Sequence, residues 1–158
     1  MFEIDKYMSV EFYKELLNDF KFDDLYIELS QKSDKELQDI LSQLACDPIT
    51  DECNLLVYTF LCFLIAKGET SNLQLLTSTI MATSLNLIDK SEKIALYHGL
   101  RALEMDPDDI NIMEYLLYFN HMPSRLLDNS LAIDFAKRIL KENPNSMAAR
   151  ITLPPNLD

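Results

Sequence analysis

SEKIALYHGLRALEMDP, residues 91–107, and LAIDFAKRILKENP, residues 131–144, decide how this chain is read. Each stretch lays small residues along one face of a helical pattern and ends in an acid or amide followed by proline. A proline pushes the residue before it out of helical geometry, so Asp106-Pro107 and Asn143-Pro144 both read as helix stops. Ala95 recurs as Ala132, and Pro107 as Pro144, each at a separation of 37 residues. Self-similarity at such a period marks helical units that bury their apolar faces against their neighbours. The expected fold class is all-α: a single domain, 1–158, of stacked antiparallel helix pairs.

Working outward, the rest of the chain agrees. Gly68 and Gly99 are the only two glycines in 158 residues. That leaves little material for hairpins or phosphate loops, which use glycine because it accepts positive φ at no steric cost. Between the two anchor stretches, Asp108 or Asp109 caps a helix over 110–120, and His121-Met-Pro123 ends it. Upstream, residues 2–20 carry Phe12, Leu16 and Phe20 at i, i+4 and i+8, with Glu11, Lys14, Glu15 and Asp19 facing away. A short helix over 25–31 follows, opened by Asp23 or Asp24. Ser33-Asp-Lys-Glu36 is a capping box, and the helix behind it buries Leu37, Ile40, Leu41, Leu44 and Ala45.

CNLLVYTFLCFLIA, residues 53–66, is apolar nearly all the way round, which places it as a helix at the centre of the domain. Gly68 is its natural C-terminal glycine. Thr70 or Ser71 starts a further helix to about residue 87, with Leu73, Leu76, Ile80 and Leu87 inward. The organisation expected is N-terminal helices over 1–88 built around 53–66, repeat-like helices over 89–152, and a tail over 153–158. That makes seven to nine helices and no strand.

Ala95, Ala102 and Pro107 stand seven and five residues apart, a pattern that resembles the second helix of a tetratricopeptide repeat. Gly99 departs from it, because the family prefers a large, often aromatic residue there. In the echo, Ala132 and Pro144 match, while Ala136 and Ile139 replace the large and the small residue. Met113, Leu116 and Leu117 occupy first-helix positions, although Leu117 is larger than the small residue favoured there. The resemblance covers residues 76–150, with three extra residues placed at 121–129. It implies a tetratricopeptide-like array in which Asn111, Glu114, Tyr118 and His121 form the concave, ligand-facing arc of the 110–120 helix.

Charge points to a kind of partner. The net charge of −12 is concentrated at the start, where residues 1–52 hold 14 acids and 5 bases. A field of this sign repels nucleic acid and anionic membranes and attracts basic partners. Asp19, Asp23, Asp24 and Glu28 gather acids at one helix junction, a candidate patch for lysine and arginine from a partner. A small, acidic, all-helical chain of this layout also resembles the immunity proteins of bacterial polymorphic toxin systems. That resemblance implies a basic toxin domain as the partner.

The motifs that carry catalysis are missing. There is no GxxxxGK, GxGxxG or HExxH, His98 and His121 are the only histidines, and Asp106, Asp108 and Asp109 lack the spacing of a calcium loop. Cys46, Cys53 and Cys62 contain no CxxC. Two of them fall in apolar helix, where they read as small buried hydrophobes. Neither a secretory leader nor an apolar run long enough to span a bilayer is present, so a reducing, cytoplasmic location is expected. No catalytic residue, metal site or cofactor is assigned. The expected function is a non-enzymatic protein-binding module, in its most concrete form an acidic immunity-type protein that neutralises a basic toxin domain. The alternative is an adaptor that holds a peptide in a repeat groove. An enzyme would require His98 or His121 in a pocket beside a buried carboxylate.

Overall fold

The computed structural model describes residues 2–47 and 49–154, with side chains from residue 10 onward. Among the described residues it is all-helical: α1 (Phe2–Asn18), α2 (Phe22–Leu29), α3 (Asp34–Ala45), α4 (Leu56–Lys67), α5 (Ser71–Ala82), α6 (Ser91–Met105), α7 (Ile110–His121), α8 (Asn129–Glu142) and α9 (Met147–Thr152). Pro48 and the end of the expected tail, residues 155–158, lie outside the described residues.

Short polar side chains cap five helix starts among the described residues. A helix leaves its first N–H groups without partners, and a preceding Ser, Thr or Asp accepts from them. Asp109 accepts from the N–H groups of Asn111 and Ile112, and Asp128 from those of Ser130 and Leu131. Thr70 and Ser146 cap α5 and α9 in the same way. Before α3 the capping box forms in full: the Ser33 hydroxyl accepts from Glu36 N–H, and the Glu36 carboxylate accepts from Ser33 N–H at 3.0 Å. These caps explain why boundaries for α3, α7 and α8 can be read from sequence.

Hydrogen bonds between helices fix the register. Ser71 Oγ donates to Ala102 O at 3.0 Å and Ser78 Oγ to Ala95 O at 2.6 Å. Contacts that advance along α5 while retreating along α6 make the two antiparallel. At one end of the α7–α8 pair, Asn120 Nδ2 donates to Asn129 Oδ1; at the other, Arg138 donates to Asp108 just ahead of α7. That pair is antiparallel too. By contrast, Glu114 meets Ser146 and His121 meets Thr152, so α9 runs parallel to α7. Equivalent positions of the 37-residue echo are equally buried: Ala95 with Ala132, and Ala102 with Ile139, have no exposed surface. The alanines at three of these four positions let neighbouring helices approach closely. One contiguous apolar core runs from Tyr13 on α1 to Ala149 on α9.

Several expectations need correction. The short helix expected over 25–31 and opened by Asp23 or Asp24 runs Phe22–Leu29, with Lys21 at its N-cap and no side-chain cap. Phe12 and Phe20, read as part of the inward stripe of α1, are 45% and 64% exposed. The helix expected over 53–66 begins at Leu56, and it is not apolar-buried on every side. Val57, Phe60 and Leu61 are buried against α1, α2, α3 and α5, whereas Tyr58, Phe63, Leu64 and Ile65 are half-buried and Leu55 is 49% exposed. An all-apolar helix carries no signal for which side its neighbours leave open. Next, α5 stops at Ala82 rather than near residue 87, and Leu87 is exposed. The hydroxyls of Thr77, Thr79 and Thr83 each donate to the carbonyl four residues back. Such back-bonding competes with the helix's own ladder. Finally, Cys53 lies outside the apolar helix. It pairs with Cys46 in an isolated antiparallel β-bridge.

Candidate functional site

The acidic junction is built by the end of α1 and all of α2. Lys21 N–H donates to Leu16 O at 2.9 Å and Phe20 N–H to Leu17 O at 3.1 Å, a Schellman closure of α1. That closure needs a left-handed residue, usually glycine, yet the position is held by Phe20 at φ 58°. Phe20 is 64% exposed, and its ring centre lies 5.8 Å from that of Phe22 in a tilted arrangement. A bulky residue in the left-handed region is strained, and here the strain presents an aromatic ring to solvent.

At 100° per residue, Asp23, Ile27, Asp24 and Glu28 fall on one outward arc of α2, and all four are exposed. Asp23 and Asp24 also occupy the first turn, where the helix dipole favours negative charge. Asp23, Asp24 and Glu28 share this arc while Asp19 stands just past the end of α1, and the four acids are not equivalent. Asp19 pairs with Lys21 at 3.0 Å, and Asp23 with Lys67 at 2.6 Å. Asp24 and Glu28 make no ion pair among the described residues. The Asp19 carboxylate holds the Lys21 ammonium above its ordinary pKa. Ile27, 63% exposed, sits in the middle of the arc.

Beside this arc the opposite edge of α2 borders an apolar cleft of about 250 Å³, lined by Tyr26, Leu29, Phe60, Leu64 and Leu73. A second cleft of about 390 Å³ between α3 and α5 shares Leu37 and Leu73 with it and has Asp34 at its wall. Lys67 spans the first cleft's mouth, with Nζ 5.1 Å from the Tyr26 ring centre and 4.9 Å from that of Phe63. The sequence reading missed both clefts, because they arise from residues on four separate helices.

The arc expected on α7 is divided. Glu114 accepts a hydrogen bond from the Ser146 hydroxyl, and His121 Nε2 lies 2.8 Å from Thr152 Oγ1. Both side chains therefore hold α9 along α7. Asn111 and Tyr118 remain exposed.

A polar chain that sequence reasoning also missed crosses α4, α5 and α6. His98 is 4% exposed. Its Nδ1 lies 2.6 Å from Gln74 Oε1 and its Nε2 3.2 Å from the Tyr58 hydroxyl. Gln74 Nε2 donates to Glu69 at 2.7 Å, and Arg101 donates to both oxygens of the same carboxylate. Since Glu69 can only accept, Gln74 turns its oxygen toward His98, so Nδ1 carries the imidazole proton. Burial lowers the His98 pKa. Burial, with help from the Cys62 thiol, pushes the Tyr58 phenol up to about 12. Arg101 and Gln74 hold Glu69 below the usual carboxylate value. His98 thus faces an amide and a phenol, and the carboxylate lies one link further away. No group of three or more metal-binding side chains gathers among the described residues, and no described helix is long and apolar enough to cross a membrane.

Compared with protein-family models, with curated proteins and with solved structures, the chain matches none.

Proposed function

We propose that this chain is a non-enzymatic protein-binding module whose acidic α1–α2 junction captures a basic protein surface, with the later helices as a tetratricopeptide-like scaffold. One observation carries the reading: Ile27 and the strained Phe20 stand exposed along the same stretch as Asp23, Asp24 and Glu28, the last two of which form no ion pair among the described residues. Aromatic and aliphatic anchors within a charged surround are the makeup of a binding hot spot. The acids would steer a positive surface inward, and the apolar residues would then resist its departure. In its most concrete form the partner is a basic toxin domain, which the module neutralises by covering its positive active-site surface.

The test is recovery of a basic partner by low-salt purification from the native cell, followed by titration calorimetry with that partner. Affinity should fall at least tenfold between low salt and about 0.5 M salt, where exposed charges are strongly screened. The double reversal Asp24→Lys with Glu28→Lys should abolish it while leaving the helical circular dichroism unchanged. Salt-insensitive binding, or binding untouched by the double reversal, would sink the proposal. A second reading, an adaptor holding a peptide in a repeat groove, draws on Asn111 and Tyr118, which remain exposed on α7. Asn111→Ala with Tyr118→Ala tests it without disturbing α9. It predicts loss of a peptide ligand that the α2 reversal leaves bound.

A further inference from the structure

Cys46 and Cys53 are seven residues apart in the loop joining α3 to α4, and they face one another across the β-bridge. The bonds around them fix how they face. Asp47 N–H donates to Glu52 O at 3.1 Å, and Asn54 N–H donates to Ala45 O at 2.8 Å. These bonds flank the cysteines instead of joining them, so the two are opposed residues of a non-hydrogen-bonded antiparallel pair. In such a pair the Cα atoms approach to about 4.5 Å, with both side chains on the same face. A disulfide asks for Cα atoms about 4.4–6.8 Å apart, so the backbone already holds the required spacing.

The surroundings leave both sulfurs available. Each cysteine is a free thiol and half-buried, so a small oxidant reaches it. Each makes only a weak outside contact: Cys46 Sγ to Asp47 O at 3.8 Å, and Cys53 Sγ to Ser84 O at 3.9 Å. The third cysteine, Cys62, lies within α4, where its sulfur neighbours the Tyr58 phenol. It is set apart from the loop.

We propose that Cys46 and Cys53 are a redox-sensitive dithiol that closes to an intramolecular disulfide on exchange with a low-molecular-weight disulfide such as oxidised glutathione. In the first step one cysteine, as thiolate, attacks a glutathione sulfur. A protein–glutathione disulfide forms and one glutathione thiolate leaves. The second cysteine then loses its proton and attacks the protein sulfur of that mixed disulfide, releasing the second glutathione. Two protein thiols are oxidised, one glutathione disulfide is reduced to two thiols, and the two protons lost are taken up by the two glutathione thiolates. The acidic setting makes this a slow dithiol. Burial first, then the neighbouring Cys53, Asp51 and Asp47, hold the Cys46 thiol above its ordinary pKa, so exchange accelerates with rising pH. Closure pins the C-terminus of α3 to the approach to α4. Asn54, next in line, reaches Asn18 at the end of α1, so the pin sits directly behind the acidic junction.

The experiment equilibrates the full chain with oxidised and reduced glutathione at pH 8, with and without denaturing guanidinium, then traps free thiols and maps peptides by mass. The native chain should lose two hydrogens, link residue 46 to residue 53 and leave Cys62 free. Its equilibrium constant for closure should exceed that of the denatured chain at least tenfold, because only the folded bridge holds the sulfurs together. Cys62→Ser should behave like the parent chain, whereas Cys46→Ser and Cys53→Ser should each accumulate a glutathione adduct. Equal constants for the native and denatured chain, or a native disulfide that includes Cys62, would overturn the proposal.

Discussion

Gly99 and Phe20 each break a local rule, and in each case the surroundings give the reason. A Cβ added at Gly99 would lie 2.9 Å from Leu116 Cδ2, 3.1 Å from Ser78 Oγ and 3.4 Å from Tyr115 Cε1. Where the tetratricopeptide pattern puts an aromatic ring on the second helix, Tyr115 of α7 supplies one from the other side. Its hydroxyl lies 2.8 Å from that of Ser78, which also donates to Ala95 O. Gly99→Ala gains about 1 kcal/mol of helix propensity but overpacks a fully buried Leu116 and a twice-bonded serine. Overpacking costs about 1–3 kcal/mol, so a net destabilisation is expected in urea denaturation. Gly99→Phe, which would install the large residue type that the tetratricopeptide pattern carries at such a position, should cost more than the alanine; a Phe variant as stable as the parent would contradict this packing. Phe20→Gly works in the opposite sense. Removing a left-handed bulky residue relieves about 1 kcal/mol and forfeits an exposed ring contact of similar size. Stability should stay within about 1 kcal/mol of the parent, while affinity for a basic partner falls tenfold or more. A large stability loss with affinity intact would make Phe20 a packing residue.

Elements were legible where their signals are local. The capping box before α3 and the aspartates before α7 and α8 are short-range chemistry, and the proline stops need no knowledge of neighbours. Tertiary choices were not legible. Nothing in CNLLVYTFLCFLIA says that Tyr58 will face His98 on α6, or that Leu55 will face solvent, because those outcomes depend on where α5 and α6 lie. The α7 arc shows the same limit from the functional side. Asn111, Glu114, Tyr118 and His121 do share one face, as 3.6-residue periodicity requires, but α9 claims two of them. Glu114→Ala with His121→Ala should therefore loosen α9 before it affects any ligand. Ser146 would lose a carboxylate acceptor and Thr152 its imidazole contact. In hydrogen exchange, the amides of residues 149–152 should exchange at least tenfold faster, while those of α3 and α4 stay unchanged. Unchanged protection of α9 would mean that Ala149 and the apolar contacts suffice to hold it.

For the whole molecule, the sign and placement of charge were plain in the sequence, but the buried polar chain was not, and the chain's response to acid separates the two. The carboxylates with lowered pKa, Glu36, Asp47, Glu69 and Asp128, contribute stability that is present above the ordinary carboxylate range and lost as pH falls through their folded values. His98 acts in a different window. Burial depresses its pKa when folded, so as pH falls through the ordinary imidazole value of about 6.5 the unfolded chain takes up a proton that the folded chain refuses. Protons then favour unfolding, and stability present above that value is lost as pH falls toward the folded one. The groups facing the ring are Tyr58, Tyr97 and Gln74; Gln74 is an uncharged amide, and the Tyr58 phenol is pushed up to about 12. Carboxyl groups ordinarily titrate near pH 4, so relief of carboxylate self-repulsion is expected to contribute little between about pH 6.5 and 5. One proton limits the slope to about 1.4 kcal/mol per pH unit. Urea denaturation at intervals from pH 7.5 to 5 should show stability declining below about pH 6.5 in the parent chain. His98→Gln keeps a hydrogen-bonding side chain between Gln74 and Tyr58 but cannot be protonated, so its stability should stay level across that interval. An undiminished slope in His98→Gln would move the effect to other groups and deny the buried imidazole its part in holding α4, α5 and α6 together.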